Sequence, residues 1–123
     1  MFSSNKMLAD MQQANESIEN ATGLSPKLFR PPYGVTNPNL AKAIRNGNYI
    51  PIGWNVRSMD TVMKDEKKLL QKMNAALKPG AIFLFHDSSH TTLQMLQAFI
   101  IHAKKQGYAF TRLDKMLHLN PYV

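Results

Sequence analysis

Ala81-Ile82-Phe83-Leu84-Phe85-His86-Asp87 is five apolar residues followed at once by a histidine and an aspartate. An almost continuous apolar run bounded by Pro79-Gly80 reads as a strand buried on both faces, the signature of a parallel sheet covered by helices. The C-terminal end of such a strand is where open and barrel-type α/β folds place their chemistry. His86 stands there. Two other segments have the same form. A short strand over 27–30 ends in Arg30-Pro31-Pro32-Tyr33-Gly34, and one over 49–54 runs into Trp54-Asn55-Val56-Arg57-Ser58-Met59-Asp60. The pattern predicts that an arginine, an aspartate and a histidine converge on one rim of a sheet.

Amphipathic helices are expected between the strands. Residues 5–21 repeat Met7, Met11, Ala14 and Ile18 at spacings of three and four, with Gly23 and Pro26 as stops. A helix over about 38–46 follows, with Thr36 as its expected N-cap and the Asn46-Gly47-Asn48 turn as its end. Asp65 caps a helix over about 66–78 that puts Leu69, Leu70, Met73 and Leu77 on one face. A helix over about 91–105, carrying Leu93, Leu96, Phe99, Ile100 and Ala103 inward, leads to Gly107, a strand at 108–110 and a short terminal helix at 112–118. Strict alternation of strand and helix predicts right-handed β-α units and an α/β fold of about four parallel strands with flanking helices. Pro51 makes a central, fully paired position for its strand less secure. Four strands are too few to close a barrel, so one edge is expected to stay open and to favour a homo-oligomer or strand exchange.

Composition narrows the function classes. With 123 residues, 44% hydrophobic and 19% charged, the chain is one globular domain or a piece of one. No apolar run is long enough for a membrane span. The first residues, Met1-Phe2-Ser3-Ser4-Asn5-Lys6, lack the apolar core of a signal peptide, so an export signal is either absent or upstream. Without cysteine there are no disulfides or thiolate metal sites. The net charge of +7 comes from scattered lysines on solvent faces and lacks the clustered, aromatic-interleaved footprint of a nucleic-acid binder. No nucleic-acid partner is expected.

Each candidate residue has a plain alternative. His86 is placed for proton transfer at a sheet rim, or it fills a loop while Asp87 or Ser88 caps the next helix. His90 completes an H-D-x-x-H spacing with His86 and Asp87, weak support for a metal site because helical geometry need not begin before Ser89. Asp60, just past a strand end, is suited to orient an imidazole, or is a turn aspartate. Arg30 before two prolines is held rigidly enough to clamp a carboxylate, or is a surface arginine beside a turn. Gly34 lets the backbone approach a ligand, and the Tyr33 amide can then face an oxyanion.

Taken together, Arg-Pro-Pro-Tyr-Gly, Trp-x-Val-x-Ser-x-Asp and Phe-Leu-Phe-His-Asp, in this order and spacing, resemble the later part of polysaccharide deacetylase domains. This is the NodB-homology group of carbohydrate esterases, with a distorted (β/α) barrel. The resemblance covers nearly the whole chain, 1–123, as a partial domain. It implies removal of N-acetyl or O-acetyl groups from chitin-like or peptidoglycan-like glycans. Residue by residue, it implies that Arg30 orients a catalytic aspartate and that the Tyr33 amide helps hold the oxyanion. Asp60 would tune the catalytic histidine, and His86 would be the acid that protonates the leaving amine. Leu84 would line the pocket for the acetyl methyl, and Trp54 would wall the groove. The family often reads Asp-x-x-Asp-Trp where this chain has Arg57 and Thr61 at the first and last positions, which alters the groove.

The resemblance also implies a zinc-like divalent metal in the complete domain, supplying the attacking hydroxide. Its ligands and the base lie on Thr-Phe-Asp-Asp and His-x-x-x-His segments that precede this region in the family. Nothing like either occurs before residue 30. No metal is expected to be bound by this chain alone, no appreciable deacetylase activity is expected without a complementary N-terminal half, and family members often act outside the cell or at its envelope. The alternatives are a non-catalytic glycan-binding module that kept the rim and, more weakly, a polyanion binder with steep salt dependence.

Overall fold

The computed structural model describes residues 2–34 and 36–123 and divides them into two compact units: Met1–Gly53 with Leu113–Val123, and Trp54–Arg112. Each unit is built around one parallel strand pair.

In the first unit, helix α1 (Ser4–Thr22) begins at Ser3, whose hydroxyl accepts the Lys6 amide, and ends at Gly23 in the left-handed region. Strand β1 (Leu28–Phe29) follows. Helix α2 (Pro38–Asn46) starts with Asn37, not the expected Thr36, because the Asn37 side chain accepts the Leu40 amide and Pro38 has no amide to satisfy. Strand β2 (Ile50–Pro51) returns parallel to β1, pairing Leu28 with Ile50 and Phe29 with Pro51. Proline is tolerated here because the ladder uses the neighbours: Ile50 donates to the Lys27 carbonyl and Ile52 to that of Phe29, both at 2.8 Å. The nitrogen of Pro51 lies on the other side of the strand, an edge that therefore lacks one donor. Met11, Leu40, Ala43 and Ile44 form the core, with Met7, Leu8, Phe29 and Tyr49 packed against it. Only the N-terminal half of the expected α1 stripe is covered. Met11 is buried, whereas Ala14 and Ile18 are exposed. The chain end returns through helix α5 (Leu113–Met116) to an antiparallel bridge between Pro26 and Tyr122.

In the second unit, strand β3 (Val56–Arg57) leads through helix α3 (Glu66–Ala75) to strand β4 (Phe83–Leu84) and helix α4 (His90–Lys105). β3 and β4 are parallel, with Val56 opposite Phe83 and Arg57 opposite Leu84. Of the predicted strand over 49–54 only Ile50–Pro51 pairs, as β2, and β3 begins beyond its end in the second unit. Asn55 extends the β3–β4 pairing with its side chain, which donates to the Gly80 carbonyl at 3.2 Å and accepts the Ile82 amide at 2.7 Å. Asp65 caps α3 as expected, through the amides of Lys67 and Lys68. Val56, Leu69, Met73, Met95 and Phe99 make the core, and Phe99 meets the ring of Phe83 edge-on at 5.0 Å. The apolar run over 81–85 is half-buried rather than closed on both faces.

Two further expectations fail for identifiable reasons. Leu93 was expected inside α4 but is 74% exposed, because the inward row is Thr92, Met95, Phe99 and Ala103. A polar residue at the head of that row disguises its phase. No strand forms at 108–110, where the Tyr108 amide is taken by the Ala103 carbonyl while Gly107, at φ 88°, donates to Lys104. That pair of bonds is a Schellman closure of α4, so the Tyr108 donor serves a helix end rather than a ladder.

Candidate active site

The stretch after β3 keeps strand-like alternation to its end. Val56, Ser58 and Asp60 are buried while Arg57 and Met59 are exposed. Met59 adopts φ 64°, a left-handed turn at a non-glycine residue, immediately before Asp60. Asp60 itself is 1% exposed. A buried carboxylate needs several donors to offset its lost hydration, and Asp60 has them. Its Oδ2 accepts the His86 backbone amide at 2.7 Å and the Thr92 hydroxyl at 2.7 Å, and its Oδ1 meets His86 Nδ1 at 2.8 Å.

The main chain of Asp60 is held as firmly. Its amide donates to the Ser58 hydroxyl at 3.2 Å, and its carbonyl accepts the Ser89 hydroxyl at 2.9 Å. Ser58 passes its own proton to the Leu84 carbonyl on β4, at 2.6 Å. Ser89 is also the N-cap of α4, accepting the Thr92 amide. The carboxylate therefore sits against the first turn of a helix, where the macrodipole favours negative charge. Burial pushes the Asp60 carboxyl up, but the hydrogen bonds from Thr92, the His86 amide and the His86 ring outweigh it. They hold the group below the ordinary carboxylate range.

This geometry fixes the state of the histidine. The donors around the Asp60 carboxylate are an amide, a hydroxyl and a ring nitrogen, so the proton between Asp60 and His86 belongs on Nδ1. Nε2 is then the nitrogen turned away from the carboxylate, and the side chain of His86 is 47% exposed. An imidazole oriented by a buried carboxylate, with its second nitrogen open, is arranged to give or take a proton.

Of the residues singled out in the sequence, the structure brings Asp60 and His86 together. Leu84, half-buried on β4, is bonded to the same cluster through its carbonyl, and Trp54, also half-buried, opens the same unit. Arg30 and Tyr33 belong to the first unit. Arg30 is exposed and its Nη2 donates to the Gly53 carbonyl at 3.3 Å. Tyr33 has a left-handed backbone (φ 56°) and a side chain that is 97% exposed. A non-glycine residue held in that conformation costs about 1–3 kcal/mol and is a mark of functional loops. Asp87 and His90 are exposed and join no cluster. Among the described residues no three His, Asp or Glu come together as a metal site. The donor set of these residues thus does not fit the divalent metal that the resemblance implies.

Ser89 and Thr92 were not legible as site residues in the sequence, and Ser58 entered only as a motif position without a role. The signal for Ser58 was the inward register of a strand, where a serine and an aspartate replace apolar residues. Ser89 and Thr92 are N-cap and N3 of α4, positions that local capping explains without reference to Asp60, far away in the chain.

A parallel β-α-β unit with a carboxylate-oriented imidazole at its strand ends defines an α/β unit with a candidate site at its rim. Comparison with known proteins is specific. The Polysaccharide deacetylase family model matches residues 1–52. The chain is 31% identical over 105 residues to a peptidoglycan-N-acetylglucosamine deacetylase of Listeria monocytogenes, across 85% of this chain and 22% of that protein. It is 30% identical over 112 residues to a peptidoglycan-N-acetylmuramic acid deacetylase of Bacillus subtilis, across 88% of this chain and 43% of that protein. Among solved structures it matches a carbohydrate esterase family 4 pseudoenzyme of Bacillus anthracis with a TM-score of 0.84 and 29% identity, over 95% of this chain and 41% of that one. The chain thus resembles polysaccharide deacetylases in sequence over most of its length and has the fold of family 4 carbohydrate esterases. It spans less than half the length of each of these three relatives.

Proposed function

We propose that the chain is the C-terminal part of a metal-dependent polysaccharide deacetylase domain, whose reaction is hydrolysis of acetyl groups, N-acetyl foremost, from a glycan. The observation that carries this reading is the Asp60–His86 pair, with Nδ1 engaged at 2.8 Å and Nε2 left open on a half-exposed ring. In the complete domain His86, protonated on both ring nitrogens, delivers its Nε2 proton to the departing amine nitrogen as the C–N bond breaks. The amine leaves uncharged and the ring returns to the neutral Nδ1–H form. Asp60 fixes the ring and offsets the charge of the imidazolium. Arg30 orients the base aspartate, the Tyr33 amide donates to the oxyanion, Leu84 faces the acetyl methyl and Trp54 walls the groove. Each parallel strand pair is a piece of the family's distorted barrel. By itself the chain lacks the ligand set and is inactive.

Joining this chain to the N-terminal part of the Bacillus subtilis relative's domain, in trans or in one polypeptide, tests the reading by acetate release from an N-acetylated glycan. Activity well above that of either part is expected, and no gain over the parts contradicts it.

A second reading, a non-catalytic glycan-binding module, is favoured by the Tyr33 ring, 97% exposed and free to stack on a sugar. Calorimetric titration with chitin or peptidoglycan oligomers, without added metal, gives saturable binding and no acetate under that reading. No binding at millimolar oligomer removes it.

A further inference from the structure

We propose that Thr92 is a positioning residue for the Asp60–His86 pair: its hydroxyl locks the Asp60 carboxylate in the one orientation that keeps the imidazole proton on Nδ1 and Nε2 free. The inference rests on the proton-transfer role given to His86 above only for its catalytic consequence, because the locked state is observable without turnover.

Asp60 Oδ1 has one partner, His86 Nδ1 at 2.8 Å, whereas Oδ2 has two, the His86 amide and Thr92 Oγ1, each at 2.7 Å. Both contacts with His86 come from a single residue and move with it. Thr92 is the side chain outside that residue that bonds the carboxylate directly, and it is set on a different element, the first turn of α4. The rotation of a carboxylate about its Cβ–Cγ bond is broad and nearly two-fold. The amide and hydroxyl together, converging on one oxygen, remove that freedom. Thr92 is 6% exposed, so no water replaces its hydroxyl without rearrangement. An ionised carboxylate only accepts, so the hydroxyl hydrogen is committed to Oδ2.

The same turn holds the rest of Asp60. Ser89 Oγ donates to its carbonyl while accepting the Thr92 amide, so the N-cap and N3 side chains of one helix grip one aspartate at both ends. A helix start needs Ser89 in this way, but it has no need of a hydroxyl at N3. Valine would fill that position equally well if packing were the whole purpose.

The test is the tautomer of His86, read from long-range proton–nitrogen correlations of the imidazole in the 123-residue chain at a pH where the ring is neutral. In the wild type the Nδ1–H form dominates. In T92V, which keeps the shape and loses the donor, the Nε2–H form rises severalfold, and T92S, which restores the hydroxyl, returns the wild-type pattern. An unchanged tautomer in folded T92V overturns the proposal, as does failure of T92S to rescue. Should T92V not fold, the wild type still decides. The Thr92 hydroxyl proton must then appear as a slowly exchanging resonance with an Overhauser contact to the His86 amide proton, and its absence refutes the lock. Loss of the lock with retained acetate release in the joined domain would separate this inference from the function proposed above.

Discussion

A carboxylate with 1% exposure is stable only while its acceptors are filled, and Asp60 fills them with donors drawn from the loop after β4 and from α4. Replacing it by asparagine turns one acceptor into a donor that faces other donors. D60N is expected to lose about 2–3 kcal/mol of unfolding free energy, the scale of broken hydrogen bonds to a charged group, measured by urea denaturation at neutral pH. Its pH dependence follows from the lowered carboxyl. The unfolded chain binds the proton more readily, so the contribution of Asp60 is complete above the ordinary aspartate value of about 3.9 and is lost as pH falls through the lower folded value. Wild-type stability should therefore decline more steeply than that of D60N below about pH 4. Parallel curves there would contradict the account. At this scale Asp60 and His86 were legible because both follow strands. Thr92 and Ser89 were not, since a side chain at a helix start has a sufficient local reason to be polar. Their second duty exists only once the chain folds.

The elements owe their limits to a few backbone donors. Helix α2 ends with Asn48 at φ 56°, its amide bonded to the Arg45 carbonyl and the Tyr49 amide to that of Ile44. The left-handed position is thus taken by an asparagine rather than by the adjacent glycine. Gly47 is needed for another reason. A Cβ there would lie 2.6 Å from the Tyr49 ring carbon Cδ2 and 2.9 Å from Leu8 Cδ1, so the glycine lets α1 and the Tyr49 ring close over the end of α2. G47A should destabilise the first unit by about 1–3 kcal/mol through overpacking, read as a lower denaturation midpoint. A midpoint equal to the wild type would show that Tyr49 moves aside freely. The helices were largely visible in the sequence because caps and stops such as Asp65 and Gly23 act locally. The strands were not. Each is two residues long, and whether a donor such as that of Tyr108 serves a ladder or a helix end depends on partners remote in sequence.

At the scale of the molecule, each unit rests on a two-stranded sheet whose outer edges have no strand partner among the described residues. The second unit also leaves Leu93, Val62, Phe110 and Ile101 between 47% and 74% exposed. Isolated two-stranded sheets and open apolar faces favour pairing with another chain. Sedimentation of the chain alone at micromolar concentration is expected to reveal dimers or larger species, diminished when the N-terminal part of the domain is joined. A single monomeric species throughout would contradict this. The α/β class and the strand-end location of the chemistry followed from the alternation and from residues 81–87. The division into two strand pairs did not, because nothing between Pro51 and Val56 marks the break except Gly53.

The account stands most directly on His86. In a joined domain that releases acetate, H86A should retain the secondary structure of the parent and lose turnover by a factor on the order of a hundred or more, the usual worth of a positioned general acid. Turnover close to that of the parent would remove the histidine from the chemistry and leave the Asp60 cluster as scaffolding.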